Sequence, residues 1–89
     1  MQFGWDPNKN KVLTKNKRPS FEEVIQAMRG GFLIEDVINP SSRYPNQFAF
    51  VVKINNYLHL VPYEIRGDIY WLITVIPCRK LKKKYRDQL

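Results

Sequence analysis

The residues best suited to chemistry form a basic run at the end of the chain. Residues 79–89 hold six of the fifteen Lys and Arg residues and a single acid, Asp87. The run follows an apolar segment, residues 69–76, that is closed by Pro77-Cys78, so we expect the fold to hold these charges in place. Cations held in this way favour a surface for a polyanion such as RNA or DNA.

Arg79 and Lys80 are the strongest candidates in this run for phosphate chemistry, because they lie where a predicted strand gives way to a helix. Arg offers a planar fork to two phosphate oxygens, whereas Lys offers a point charge. Three further lysines are predicted to attract RNA: Lys82, Lys83 and Lys84. Tyr85 is predicted to project from the basic helix and stack on a base. The alternatives are a solvated, solubilising face for the lysines and a helix-terminus partner for Arg79.

A second basic cluster lies near the N-terminus. Residues 1–18 carry a net charge of +4, residues 79–89 of +5, and the remainder of −2. Lys17 and Arg18 lie just before the predicted second helix, whose free amides would favour phosphate. The alternative for both is a solvated loop. Whether the two clusters share a face depends on the fold.

His59 is the only histidine and ordinarily titrates near neutrality. It is a candidate general acid or base beside Tyr63 and Tyr70, and Tyr63 is also a candidate for stacking on RNA. A lone histidine in a strand is more often a packed structural residue, and both interpretations remain open. Tyr57 and Tyr70 are better explained by packing between strands.

Helix signals are strongest in the first third of the chain. Asp6 before Pro7 predicts a first helix to about residue 17, held to the core by Trp5, Val12 and Leu13. Ser20 and Glu23 have the spacing of a capping box. The second helix then carries an apolar stripe at helical spacing, consisting of Phe21, Val24, Ile25 and Met28, and ends at Gly30-Gly31.

Strand patterns follow at residues 32–38, 47–54, 57–65 and 69–76, with a loop at 39–46. A two-residue turn at Asn55-Asn56 would pair Val52 with His59, and one at Arg66-Gly67 would pair Tyr63 with Tyr70. One sheet face then collects the most apolar side chains, and we expect the helix stripe to pack there: Ala49, Val51, Leu58, Leu60, Ile69, Trp71, Ile73 and Val75.

The sequence therefore predicts one α+β domain over residues 1–89. It has two N-terminal helices, an antiparallel sheet of three to four strands and a short basic C-terminal helix at 80–88. Cys78 is the only cysteine, which excludes a disulfide within the chain and a cysteine-based zinc site. We expect no metal, no cofactor and no membrane span, and a cytoplasmic location.

Motifs at both ends of the chain occur together in one family. Phe3-x-Trp5-Asp6-Pro7-x-Lys9 opens the chain, and Ser20-Phe21-Glu22-Glu23 follows the first helix. Ile73-Thr74-Val75-Ile76 then precedes Arg79-Lys80 and the basic helix with Tyr85. In this order and spacing the chain resembles the BrnT family of type II toxins over about residues 3–86. It departs from the family pattern at residues 16–19 and 44–47.

This resemblance implies a RelE-like fold and an endoribonuclease that arrests growth by cleaving cellular RNA. It also implies a co-encoded antitoxin with a ribbon-helix-helix DNA-binding domain, joined to the toxin in a hetero-oligomer. Arg79 matches the family's arginine. Cleavage of this kind needs no metal, since the ribose 2′-hydroxyl is the nucleophile and cations stabilise the phosphorane. The alternative function is a non-catalytic module that binds nucleic acid or an acidic protein segment.

Overall fold

The computed structural model describes residues 2–38 and 47–85. The elements are β1 (Gln2–Trp5), α1 (Pro7–Lys15), α2 (Phe21–Ala27), a π-helical turn (Met28–Phe32), β2 (Leu33–Ile38), β3 (Phe48–Ile54), β4 (Tyr57–Arg66), β5 (Ile69–Leu72), β6 (Ile76–Pro77) and α3 (Leu81–Lys84). The α+β class is confirmed. The described residues contain three α-helices and one six-stranded sheet, so the expected three to four strands are too few. The predicted loop at 39–46 and the predicted helical residues 86–88 lie outside the described residues.

The sheet is mixed, whereas an antiparallel sheet was predicted. Its strand order is β1-β5-β4-β3-β2, with β6 pairing with β4, and β1 runs parallel to β5. The four residues of β1 carry no clear strand pattern, so their strand conformation depends on β5. Gly4 permits this pairing: a Cβ atom there would lie 2.9 Å from Cε3 of Trp71.

The first hairpin has the predicted register, and the second does not. Asn55 and Asn56 adopt φ angles of 53° and 62°, and Val52 lies opposite His59 as expected. In the second hairpin Arg66 pairs with Ile69, so the turn residues are 67 and 68 and Gly67 takes the positive φ. The shift is by two residues, so the side chains of β5 keep their predicted faces.

The prediction of which sheet face receives the N-terminal helices is wrong. Leu13 of α1 and the buried stripe of α2 pack on one face, which carries Phe50, Val52, Ile54, Val61, Tyr63 and Leu72. The other face is covered by residues around α3, and it carries Ala49, Val51, Leu58 and Leu60. Apolar residues therefore alternate onto both faces of β3 and β4, and such a pattern does not indicate which face a given helix covers.

The predicted strand 69–76 is interrupted by a bulge. Leu72 lies opposite Tyr63 and Ile76 opposite Leu60, so three residues on one side face two on the other. Because of this extra residue, the side chains after the bulge point to the opposite sheet face from the one that a regular strand would give them. Val75 consequently lies on the face of Phe50 and Val61, where α1 and α2 pack, and not with Ala49 and Val51 as predicted, while Ile76 packs beside α3. The bulge thus sets the path by which the chain enters α3.

Both predicted helix caps are present. The Asp6 carboxylate accepts a hydrogen bond from the amide of Asn8 at 2.9 Å, and the Ser20 hydroxyl accepts one from the amide of Glu23 at 3.2 Å. Leu13 is buried as expected, but Val12 is 47% exposed, so its predicted role in holding α1 to the core is wrong.

Candidate nucleic-acid interface

Helix α3 presents its charges because two apolar side chains hold it to the sheet. Leu81 and Tyr85 are four residues apart and therefore lie on the same side of the helix. Both pack in the cluster formed by Ala49, Val51, Leu58 and Leu60. The three intervening side chains are exposed, namely Lys82, Lys83 and Lys84. One turn of helix thus spreads three cations over a buried apolar anchor.

Tyr85 does not project into solvent, so the prediction that its ring stacks on a base is wrong. The side chain is only 6% exposed. Its hydroxyl donates a hydrogen bond to the carboxylate of Glu35 on β2. Burial is the main cause that raises the pKa of Tyr85 to about 12, and the bond to Glu35 contributes in the same direction. Lys84 Nζ lies 5.4 Å from the centre of the ring. Tyr85 is therefore an anchor of the basic helix.

Arg79 and Lys80 are exposed in the turn before α3. The start of this turn is tied to the sheet, because the amide of Cys78 donates to the carbonyl of Leu58 at 3.1 Å. A small cavity of about 60 Å³ lies beside it, lined by Asn56, Tyr57, Leu58, Cys78, Arg79 and Lys82. Arg79 and Lys82 therefore reach a common depression next to the tip of the β3–β4 hairpin.

Tyr57 is an aromatic residue of this surface that the sequence interpretation attributed to packing. It is 39% exposed, and it lines the same cavity as Arg79 and Lys82. Its exposure could have been predicted from its position immediately after the Asn55-Asn56 turn, since the first residue of a strand has few neighbours to cover it. An exposed aromatic residue near cations suits stacking on a base whose phosphates contact those cations.

Tyr63 is buried, and it cannot serve as the predicted stacking platform for RNA. Its ring stacks on Phe50 with centroids 4.1 Å apart. Its hydroxyl donates to the two carboxylate oxygens of Asp36 at 2.7 and 2.8 Å. Burial, reinforced by Asp36, raises the pKa of Tyr63 above its ordinary value. Its role is to join β4 to the edge strand β2.

His59 is likewise a structural residue, and it is not available as the predicted general acid or base. The side chain is 6% exposed. Nδ1 lies 3.0 Å from the carbonyl oxygen of Tyr57; because a carbonyl only accepts, Nδ1 carries the proton. Burial lowers the pKa of His59, and the bond to Tyr57 offsets this only in part. Its observed ring contact is with Tyr57, at 5.7 Å.

The two basic clusters lie on different sides of the sheet. Lys17 and Arg18 are exposed after α1, which packs on the face opposite α3. Lys17 adopts a φ of 58°. Arg18 Nη1 donates to the carbonyl of Val75 at 3.4 Å, in the bulged segment before β6. Arg18 therefore contacts the chain that leads to Arg79, but the described residues do not combine both clusters into one surface.

No protein-family model, no curated protein and no solved structure matches the chain. Among residues 2–38 and 47–85, no three His, Cys, Asp or Glu side chains come together in a way that could hold a metal ion. No helix in the same ranges is long and apolar enough to cross a membrane.

Proposed function

We propose that this protein binds single-stranded RNA on a surface centred on α3. This α3 basic surface consists of Arg79, Lys80, Lys82, Lys83, Lys84 and Tyr57. The observation that carries the proposal is the grouping of Arg79, Lys82 and an exposed tyrosine around one cavity, beside a helix anchored in the core. Residues 79–85 hold five cations and no Asp or Glu, and the carboxylate seen in contact with this segment is that of Glu35, through Tyr85.

Charge and aromatic contact have separate roles in this proposal. The lysines neutralise phosphates, and each phosphate contact releases counterions, so affinity falls steeply with salt. Arg79 holds two phosphate oxygens in its planar fork. Tyr57 stacks on an unpaired base, which favours single strands because duplex bases are already stacked on each other.

We further propose that the bound RNA is cleaved and that the protein is the toxin of a type II toxin–antitoxin system. The support is the resemblance to the BrnT family, together with the exposed position of Arg79 at the end of the strand. The RelE-like fold belongs to this proposal; two N-terminal helices on one sheet face and a basic helix after the last strand are consistent with it. The ribbon-helix-helix antitoxin would act by covering the α3 basic surface.

The proposed cleavage is metal-independent. The ribose 2′-hydroxyl loses its proton and attacks the adjacent phosphate, and Arg79 and Lys80 would stabilise the phosphorane that forms. The P–O5′ bond then breaks, which leaves a 2′,3′-cyclic phosphate and a 5′-oxygen that takes up a proton. With His59 buried, proton transfer needs other groups. Of the side chains that line the Arg79 cavity, the Tyr57 hydroxyl and the Cys78 thiol are able to transfer protons. Tyr57→Phe and Cys78→Ser would separate their contributions.

One experiment tests binding and cleavage together. The purified protein is incubated with single-stranded RNA in EDTA, and binding and cleavage are followed in parallel. Arg79→Ala should abolish most cleavage, and Lys82→Gln with Lys83→Gln should weaken binding at low salt. Arg29→Ala is the matched control, since Arg29 is exposed on the other side of the sheet beside α2.

The outcomes separate the candidates. Binding without cleavage would refute the endoribonuclease and favour the non-catalytic module. Binding that is indifferent to Lys82, Lys83 and Arg79 would refute the α3 basic surface itself. Full cleavage by Arg79→Ala would remove Arg79 from the mechanism.

A further inference from the structure

A second groove adjoins the α3 basic surface at the tip of the β3–β4 hairpin. It has a volume of about 450 Å³. Its lining includes one aromatic, two charged and three amide side chains, namely Phe32, Glu23, Lys53, Gln26, Asn55 and Asn56. Asn56 also lines the cavity of Arg79, Lys82 and Tyr57. The two depressions therefore share one lining residue at the hairpin tip, with the second depression on the α2 side of the sheet.

The composition of this groove differs from that of the α3 basic surface. Phe32 is 47% exposed, a large fraction for a phenylalanine, and it follows Gly31, whose φ of 91° turns the chain at the end of the π-helical turn. Three amide side chains lie around it, Gln26, Asn55 and Asn56. The groove has one cation, Lys53, and one carboxylate, Glu23, so it offers no net charge to attract phosphates.

An aromatic ring with amides and one carboxylate suits a nucleobase. A base stacks on an aromatic ring whatever its sequence, while amide groups pair with its donor and acceptor edge. A carboxylate accepts from an exocyclic amino group, as cytosine N4 provides. Lys53 would meet the phosphate that follows. The hairpin geometry favours this use, because Asn55 and Asn56 occupy left-handed conformations that hold the turn in a defined shape.

We propose that this groove binds one unpaired, amino-bearing base of an RNA strand whose phosphates lie on the α3 basic surface. The inference rests on the proposed RNA binding and adds a base-recognition site to it. Phe32 is the stacking platform, Asn56 bridges the two depressions, and Glu23 selects the amino group. The ligand class is thus single-stranded RNA, with cytidine preferred over uridine at one position.

The test measures binding by fluorescence anisotropy with unstructured oligonucleotides of about twelve nucleotides, within the range of known single-strand sites. Oligo(C), oligo(U) and an abasic strand of equal length are compared. Phe32→Ala should weaken oligo(C) binding about fivefold or more and leave abasic binding unchanged. Glu23→Gln should reduce the preference for oligo(C) over oligo(U). Asn56→Gly, which keeps the positive φ and removes the amide, should weaken oligo(C) binding more than abasic binding.

Val12→Ala is the control, because Val12 has the same 47% exposure as Phe32 and lies on α1. If Phe32→Ala leaves oligo(C) binding intact while Lys82→Gln weakens it, this groove is not a base site and the proposed function survives. Equal weakening of abasic and normal strands by Phe32→Ala also overturns the inference. If Phe32→Ala, Arg79→Ala and the combined Lys82→Gln and Lys83→Gln variant all leave binding unaffected, the proposed function itself fails.

Discussion

Replacing Tyr85 by phenylalanine tests whether one buried hydroxyl holds the basic helix on the sheet. Helix α3 has four residues, far fewer than an isolated helix needs in water. Its position therefore depends on Leu81 and Tyr85 and on the bond from Tyr85 to Glu35. The substitution removes that bond and keeps the ring and all five cations of the α3 basic surface.

The expected loss of free energy depends on Glu35, the partner of the Tyr85 hydroxyl. A hydrogen bond to a charged group contributes about 1.5–3 kcal/mol. Glu35 lies on β2, the edge strand, and is exposed, so water replaces the lost hydroxyl. We therefore expect the lower end, about 1.5 kcal/mol, which corresponds to about a tenfold change in an equilibrium constant. This loss falls on the docking of α3 more than on the rest of the sheet.

Amide hydrogen exchange measures the effect where it occurs. The amide of residue 85 donates to the carbonyl of Leu81 at 3.0 Å, and Tyr85→Phe should accelerate its exchange about tenfold. RNA affinity should fall by up to the same factor with no change in charge. Tyr57→Phe is the control for exchange, since it also removes a phenol hydroxyl but lies outside α3. Unchanged exchange at residue 85 would refute the anchoring role of the bond.

The same bond predicts an alkaline transition. Because the pKa of Tyr85 is raised to about 12 from the model-peptide value of 10.0, the folded state binds this proton more tightly than the unfolded state. The resulting stabilisation is complete below about pH 10 and is lost as pH rises towards about 12. Tyr63 contributes in the same direction. Denaturant unfolding of Tyr85→Phe should therefore lose less stability than the native chain over this range, and an identical loss would contradict the assignment.

Three further predictions concern acid, packing and salt. The pKa of His59 is lowered by burial, so stability should fall as pH drops below about 6.5; in urea unfolding, His59→Gln should flatten this fall, and an unaltered pH profile would contradict it. Gly4→Ala would bring a Cβ atom to 2.9 Å from the Trp71 ring and should cost about 1–3 kcal/mol on thermal unfolding, whereas an unchanged melting temperature would show that the ring moves freely. Each Lys→Gln change at residues 82, 83 or 84 should reduce the slope of log affinity against log salt by about 0.7, as measured by RNA titration at several salt concentrations; a constant slope would mean that the lysine contacts no phosphate.

Local signals predicted the elements that local interactions build. The caps at Asp6 and Ser20 and the turn at Asn55-Asn56 depend on neighbours within a few residues, and each is present. The second hairpin shows the limit of this reasoning. Gly67 is the residue that adopts a positive φ with least strain, so it becomes the first residue of the turn. The register of the hairpin is therefore shifted by two residues from the predicted one.

The roles of the aromatic and titratable side chains were much harder to predict. Tyr57, Tyr63 and Tyr85 look alike in sequence, yet one is exposed and two are buried donors to the carboxylates of β2. Glu35 and Asp36 are adjacent, and since neighbouring residues of a strand point to opposite faces, each reaches a tyrosine on a different side of the sheet. No local pattern encodes such a pair of long-range contacts.

The sequence by itself determined the α+β class, the helix caps, the first hairpin and the concentration of positive charge at the two ends of the chain. These properties depend on residue type and short spacing. The tertiary structure alone decided that β1 joins the sheet in parallel, that a bulge redirects the chain before Arg79, and that the two basic clusters lie on different faces. It also decided which tyrosine is exposed beside the cations. The physical reason is that burial and strand pairing join residues that are distant in sequence, and both faces of the central strands are apolar enough to accept a helix.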